Sequence, residues 1–535
     1  MNKYIKPYFK KNIKSIIILS IISIVYTLLA LITPYYNGAF LDILISKPNL
    51  ESVLHFAYFI IFLGFFSSIN NYFYSLLKVK VINVMSCDIM NNMIQHLRKI
   101  SLLKFNKYDP TYLNQRVNSD SIALVTFYIE NYLSVFLNMF MICTITLSIY
   151  KINTYILVLS LMFIPLYIFL YFRLKRPLFK ASYKFKEASN KYMNDINEQY
   201  RINEEVKVSA DFTFWGRFVS NIFSVYIKEI LSYNKIVYLF SSIDGLLGLL
   251  FTSGVLIVGG VQIINGYMTI GEFTIVNAYF SILIQSIQYF FELGNQYQDT
   301  KAAYIRLCEL SDIKEEKNGN NIVNDIDIIN VINLEHPFIA KNRVKCTFKK
   351  NKIYGIVGAN GAGKTTFIRI VIGILELPNK SGIIEVNGIN LSEVDIYNFR
   401  MRNISVMTQS IQYLNITVKE LLFEHLLEKT PESIIRKISE LSLKHLYFND
   451  SFNLSSLMEK RLSELSGGEK QKVLFLRTII KDAPIYIFDE PTANLDSDSV
   501  EDIIKFLKTL KYNRIVIIIT HEAELGSIFD ETINL

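Results

Sequence analysis

Residues Gly358-Ala359-Asn360-Gly361-Ala362-Gly363-Lys364-Thr365 have the spacing G-x-x-x-x-G-K-[ST] of a loop that cradles phosphates. The glycines let backbone N–H groups approach an anion with no Cβ in the way, and a helix N-terminus behind the loop adds a favourable dipole. A strand-like run, Ile353 to Val357, precedes the loop, and a helix-like run, Thr366 to Val371, follows it. In that setting Lys364 reaches the β- and γ-phosphates of a nucleoside triphosphate and the Thr365 hydroxyl holds Mg²⁺. The plainer alternative is a Gly-rich turn between a strand and a helix.

Five further pieces bear on the same chemistry. The apolar run Ile485 to Phe488 ends in Asp489 and Glu490. Asp489 suits a Mg²⁺ ligand, and Glu490 suits a base that polarises an attacking water. Leu465-Ser466-Gly467-Gly468-Glu469 opens a helix with exposed N–H groups, and Asn494-Leu495-Asp496 follows the acidic pair. A second apolar run, Ile517 to Ile519, ends in Thr520 and His521, and Ser405-Val406-Met407-Thr408-Gln409 places a Gln at another strand end. Alone, each is weak: a strand ends in acids by chance, a Ser before two glycines is an ordinary helix start, and a lone His is usually structural. In this order and at this spacing, over about Ile326 to Leu535, they resemble the ATP-binding-cassette family.

The resemblance extends upstream. Pro34 to Asp42 resembles that family's end of the first membrane span, and Tyr108 with Asn114 to Asp120 its first inner coupling segment. Gly260, Gly266, Gly271-Glu272-Phe273 and Ala302 to Arg306 resemble spans five and six and their exit. The whole chain is similar to an exporter-type half-transporter. This implies an all-α six-helix membrane bundle followed by an α/β P-loop NTPase domain, with ATP and Mg²⁺ bound. In that family two nucleotide-binding domains meet head to tail. Each ATP is sandwiched between the loop Gly358 to Thr366 of one chain and Ser466, Gly467, Gly468 and Glu469 of the other. The resemblance makes Gln409 a contact to Mg²⁺ and water, His521 a γ-phosphate contact and Asp496 part of the loop facing the partner. Every hydrolytic position is present, so the expected partner is a second copy of this chain, with a related half-transporter as the alternative.

This chain departs from the family pattern in three places. Where the family stacks adenine on a Tyr, it has Asn333-Leu334-Glu335-His336-Pro337-Phe338, so His336 is the first choice of platform and Phe338 the second. The Gly-Glu-x-Gly element before the signature is replaced by Met458 to Glu464, and little chain follows the His521 strand. No Cys/His-bearing peptidase-like stretch precedes the first span, and the expectation is export without coupled leader cleavage.

Composition agrees with a membrane part. Of 535 residues, 51% are hydrophobic and 19% charged, the latter below the roughly 25% of soluble domains, and mean hydropathy is +0.27. Six runs are near the roughly 20 residues that cross a bilayer as a helix: Ser15–Ile32, Leu54–Leu77, Tyr132–Tyr150, Tyr155–Phe172, Val237–Ile257 and Gly271–Phe291. The net charge of +8 sits mostly in the segments between runs two and three and between four and five. Membrane topology explains that placement, so nucleic acid is not an expected partner. It puts both termini and the nucleotide-binding domain in the cytoplasm of a multi-pass cell-membrane protein. Those two inner segments, each about fifty residues, exceed ordinary turns and read as helices continuing out of the bilayer. The expected layout is a membrane domain over 1–310, a polar linker over 311–324 and a nucleotide-binding domain over 325–535. Cys87, Cys143, Cys308 and Cys346 are scattered without metal or disulfide spacing.

Asp244, in the fifth run, reads as a cavity-facing group on a substrate path, while Asn70, Asn71 and Asn138 fit interhelical hydrogen bonding. An importer on the same fold, a nucleotide-gated channel or regulator, and a soluble cassette ATPase of nucleic-acid repair are the competing functions. An intact Glu490 disfavours the second, and the six spans disfavour the third. Nothing in the spans reads out the substrate; peptides, drug-like molecules and lipids are the classes expected by analogy with single-gene exporters.

Overall fold

An apolar run facing lipid satisfies its backbone polar groups by winding into a helix, and the first part of this chain does so. The computed structural model describes residues 1–46, 50–108, 110–340, 343–377, 381–408, 416–425, 430–441, 443–447, 453–521 and 523–535. Among them, Ile13–Ser46, Leu50–Arg98, Arg116–Ile152, Phe212–Ile264 and Ile270–Ser311 are long and apolar enough to cross a membrane. They carry five of the six expected spans. The other, Tyr155–Phe172, falls on the helix Thr154–Arg201, where several side chains lie outside the described residues. Leu50–Arg98 and Phe212–Ile264, with 49 and 53 residues, run far beyond what one crossing requires. Large apolar side chains such as Ile17, Phe62 and Leu249 stay more than half exposed on these helices, as lipid contact demands.

The chain divides into two units, Met1–Asn92 with Asn114–Glu309, and Met93–Leu113 with Leu310–Leu535. In the first, segments that the sequence marked separately are joined. Asp42 accepts hydrogen bonds from the Gly271 N–H and the Thr269 hydroxyl, both at 2.7 Å, capping the helix Ile270–Ser311. The backbones touch there: a Cβ on Gly271 would lie 2.1 Å from the Gly38 oxygen, and one on Gly38 would lie 2.5 Å from the Gly271 oxygen. Further along, Arg306 holds the buried Asp120 with two nitrogens, Nε at 2.8 Å, and Arg116 donates to the Arg306 carbonyl at 2.8 Å and pairs with Glu309.

The second unit holds two sheets. An antiparallel one has the order β2-β1-β4-β5, from β1 (Ile328–Leu334), β2 (Val344–Lys349), β4 (Ile383–Val386) and β5 (Ile389–Asn390). A parallel one has the order β6-β7-β8-β3-β9, from β3 (Lys352–Val357), β6 (Ile404–Met407), β7 (Ile485–Asp489), β8 (Ile515–Ile519) and β9 (Glu531–Asn534). Every residue of β7 and β8 is buried, which is why these strands read as unbroken apolar runs rather than alternating ones. Helices on the sheet supply the cover: Phe367 and Val371 pack with Ile356, Ile487 and Ile517, while Val473, Phe475 and Ile503 pack with Phe488 and Ile518.

The polar stretch 311–324 has no apolar period because backbone bonds and polar side chains carry its contacts. The Glu316 N–H donates to the Lys99 carbonyl at 2.8 Å, beside a bridge between Ile100 and Glu315. Gly319 N–H donates to the Val394 carbonyl at 2.9 Å, and Asn318 Oδ1 accepts the Ile396 N–H at 2.7 Å. Met93–Leu113 therefore clusters with the nucleotide-binding part, with Leu102 against its core.

Gly271→Ala should lower the thermal midpoint in detergent, by an amount equivalent to about 1–3 kcal/mol, since its methyl meets backbone that cannot swing aside. Gly64→Ala, where a Cβ meets nothing within 4 Å, should leave the midpoint unchanged or raised.

Candidate functional site

Ligands of open parallel sheets sit beyond the carboxyl ends of the strands, and three of the expected pieces stand at one such edge. β3 pairs with β8 and β8 with β7 in parallel, so that Ile356, Ile519 and Asp489 align. The phosphate loop leaves β3, the acidic pair ends β7, and His521 follows β8. The register that aligns these ends is set by strands buried on both faces.

The loop turns through two left-handed glycines, Gly361 at φ 83° and Gly363 at φ 93°. Gly363 is also pressed against the chain, for a Cβ there would lie 2.1 Å from the Phe338 oxygen. Lys364, only 9% exposed, opens the helix Lys364–Val371 and folds back over the loop. Its Nζ donates to the Gly358 and Ala359 carbonyls at 2.8 and 3.1 Å and lies 3.0 Å from His521 Nε2. The buried ammonium is thus satisfied by carbonyls of the loop itself.

Thr365 Oγ1 donates to Asp489 Oδ2 at 3.3 Å. Burial, and to a lesser degree the neighbouring Glu490, pushes the Asp489 carboxyl above its ordinary value, against the Thr365 hydroxyl bond and the charges of Arg369 and Lys364. A hydroxyl oxygen and a half-desolvated carboxylate side by side form the hard oxygen donor set that Mg²⁺ takes, and a cation there would relieve the unfavourable burial. Glu490 stands in a left-handed backbone conformation, φ 51°, with its carboxylate 3.9 Å from His521 Nε2. These groups line one cavity of about 650 Å³, together with Asn360, Ala362, Thr366 and Phe338. A volume of that order suits a nucleotide.

The remaining expected residues divide. His336, the first choice of adenine platform, is buried and is not among the residues lining the cavity. Its Nδ1 accepts the Phe338 N–H at 3.3 Å, and burial pulls its pKa below the ordinary value. The Pro337 turn that tucks His336 inward carries Phe338 outward, 64% exposed, onto the cavity wall. Gln409 lies outside the described residues. Ser466 caps the helix Gly467–Ile480 with a reciprocal pair: the Ser466 N–H donates to Glu469 at 2.7 Å, and the Glu469 N–H donates to Ser466 Oγ at 3.3 Å. The Ser466 bonds hold the Glu469 carboxyl below its ordinary value. Ser466 and Gly467 are exposed and, with Gly468, do not line the Lys364 cavity. Asp496 caps the helix Ser497–Leu510 through Ser499, whose hydroxyl lowers its pKa.

Sequence reasoning gave no role to Gln471. Its side chain is buried and donates to the Glu490 carbonyl at 2.6 Å. Its place four residues after Gly467, on one helix face, was the available signal.

The comparisons agree with this geometry. The family model described as "ABC transporter transmembrane region" matches residues 16–287, and that described as "ABC transporter" matches residues 341–493. The lactococcin-G-processing and transport ATP-binding protein LagD of Lactococcus lactis subsp. lactis is 23% identical over 529 residues, 96% of this chain and 74% of its own. The nisin transport ATP-binding protein NisT of the same organism is 27% identical over 349 residues, 63% of this chain and 54% of its own. A bacterial Atm1-family ABC exporter solved with ATP bound superposes with a TM-score of 0.78 at 16% identity, covering 98% of this chain and 93% of that one. A membrane-helix half and a phosphate-loop half matched in one polypeptide make the chain a member of the ABC transporter family, an ATPase of the exporter type that couples hydrolysis to transport.

Proposed function

We propose that two copies of this chain form an ATP-driven exporter that moves a peptide out of the cytoplasm. The convergence of Lys364, Thr365, Asp489, Glu490 and His521 on one cavity carries the hydrolytic part of this reading. Lys364 and the loop N–H groups bind the phosphates. Glu490 takes a proton from the attacking water, and His521, between Lys364 and Glu490, meets the γ-phosphate. Thr365, Asp489 and Gln409 hold Mg²⁺, which when bound neutralises phosphate charge.

Dimerisation is supported by what the cavity lacks. Its described lining contains neither Ser466, Gly467 nor Gly468, whose exposed helix start is the second anion-binding feature of the domain. A nucleotide gripped by both needs a second chain. Closing two such seams switches the membrane helices; moving an equilibrium from 1:99 to 99:1 takes about 5.5 kcal/mol of differential binding. The basic segments between the spans support a cytoplasmic side for both termini and the nucleotide-binding part. The relatives named for lactococcin G and nisin support a peptide cargo. Phe338, exposed on the cavity wall, serves as the adenine platform.

Glu490→Gln should bind ATP with near-normal affinity in lipid while turnover falls by at least about 10²-fold, the lower end for losing a general base. Phosphate release and nucleotide binding, measured side by side, check this. Phe338→Ala should raise the KM for ATP about tenfold, as lost stacking of about 1–3 kcal/mol per base implies, whereas His336→Gln should leave it unchanged.

A further inference from the structure

Glu490 is held in a backbone conformation that non-glycine residues rarely adopt, and such strain persists only where the surroundings over-determine it. Its N–H donates to the Ile519 carbonyl of β8 at 2.8 Å. Its own carbonyl receives the Ala493 N–H at 3.4 Å, at the edge of hydrogen-bond range, and the Gln471 side-chain N–H at 2.6 Å. The short bond that fixes the carbonyl therefore comes from the helix Gly467–Ile480, not from the turn itself.

That helix grips the turn at several points. A Cβ on Gly468 would lie 3.0 Å from the Asn494 oxygen, and Asn494 is itself left-handed at φ 63°. Lys472, buried, reaches to 3.6 Å from the Asp496 carboxylate. Gly467 and Gln471, and Gly468 and Lys472, are four residues apart and so share a face. One face thus presents the exposed glycines at its start and holds the 490–496 turn one helical turn later.

We propose that Gln471 is a positioning residue for hydrolysis: its amide sets the Glu490 backbone, and hence the Glu490 carboxylate, for activating the water that attacks the nucleotide bound to the same chain. The proposal rests on the reading of Glu490 as the base and adds a requirement to it. Burial of the Gln471 amide is explained by this bond, since a buried donor without an acceptor is unfavourable. The bond lies on the carbonyl side of Glu490, so it acts on the direction of the carboxylate and leaves Lys364 and the phosphate loop untouched.

The test uses the full chain in lipid, with ATPase rate measured against Mg-ATP concentration and the thermal midpoint recorded in parallel. Gln471→Met keeps length and loses the donor; its kcat should fall at least tenfold, with KM within twofold and an unchanged midpoint. Gln471→Lys restores a donor and should return kcat to within about threefold of the parent. In a Glu490→Gln background, Gln471→Met should lower the residual rate no further. Normal kcat in Gln471→Met beside an inactive Glu490→Gln overturns the role of Gln471 alone. A loss of kcat accompanied by a raised KM and a lowered midpoint makes Gln471 a packing residue and overturns it too. Near-normal turnover in Glu490→Gln instead removes the base assignment and this proposal with it.

Discussion

The chemistry of this protein hangs on the parallel pairing of β3, β8 and β7. Their register aligns Ile356, Ile519 and Asp489, so the next few residues on each strand emerge at a common edge. Strand side chains alternate with a period of two, and a slip of one residue would exchange the two faces. Because β7 and β8 are buried on both sides, such a slip would have to repack both cores. The catalytic alignment therefore inherits its precision from hydrophobic packing, which is non-directional, through hydrogen-bonded strands, which are directional.

Against that frame the site holds charge where charge is unfavourable. Lys364 is buried and satisfied by two loop carbonyls. Asp489 is buried beside a second acid, which raises its pKa, and only a Thr hydroxyl and nearby cations counter the effect. Glu490 and Asn494 occupy left-handed backbone in the turn that follows, a strain of order 1–3 kcal/mol each. A fold tolerates such a concentration at one edge because the sheet beneath it is over-determined. The same groups are those able to gain most from a polyphosphate and its cation.

Much of this was legible in the sequence, and the exceptions have physical reasons. Loops that bind phosphate need particular residues at fixed spacing, so Gly358 to Thr365, Asp489-Glu490 and His521 were readable as text. Which of His336 and Phe338 faces the cavity was not, because the two differ only in which side of a Pro337 turn they take, and packing decides that. The segment 311–324 looked structureless because its bonds are polar, made by backbone to Lys99, Glu393 and Val394 and by the Asn318 side chain to Ile396, which leaves no apolar period. Gln471 was visible as a letter, yet its acceptor is a main-chain oxygen nineteen residues away. Gln409 and the side chain of Asp244 lie outside the described residues.

The membrane helices obey the same economy of polar groups, with a consequence for specificity. Ser20, Ser23, Thr27, Thr33 and Ser68 return their hydroxyls to carbonyls four residues back on their own helices, and Asn138 does so with its amide. Asn70 bonds across to the Ile22 carbonyl at 3.2 Å. Asn131, buried, is held by Gln296 at 3.1 Å and by Tyr289 at 2.9 Å. The first group is spent on its own helices, Asn138 included against the interhelical expectation, while Asn70 and Asn131 tie helices together; side chains committed in either way are not free to read a cargo. Recognition of a cargo by such spans would then rest on shape and apolar contact more than on hydrogen bonds, and a hydrophobic pocket discriminates an added or missing methylene by only about 1–3 kcal/mol. That is why the spans, unlike the phosphate loop, carry no substrate signature in their letters.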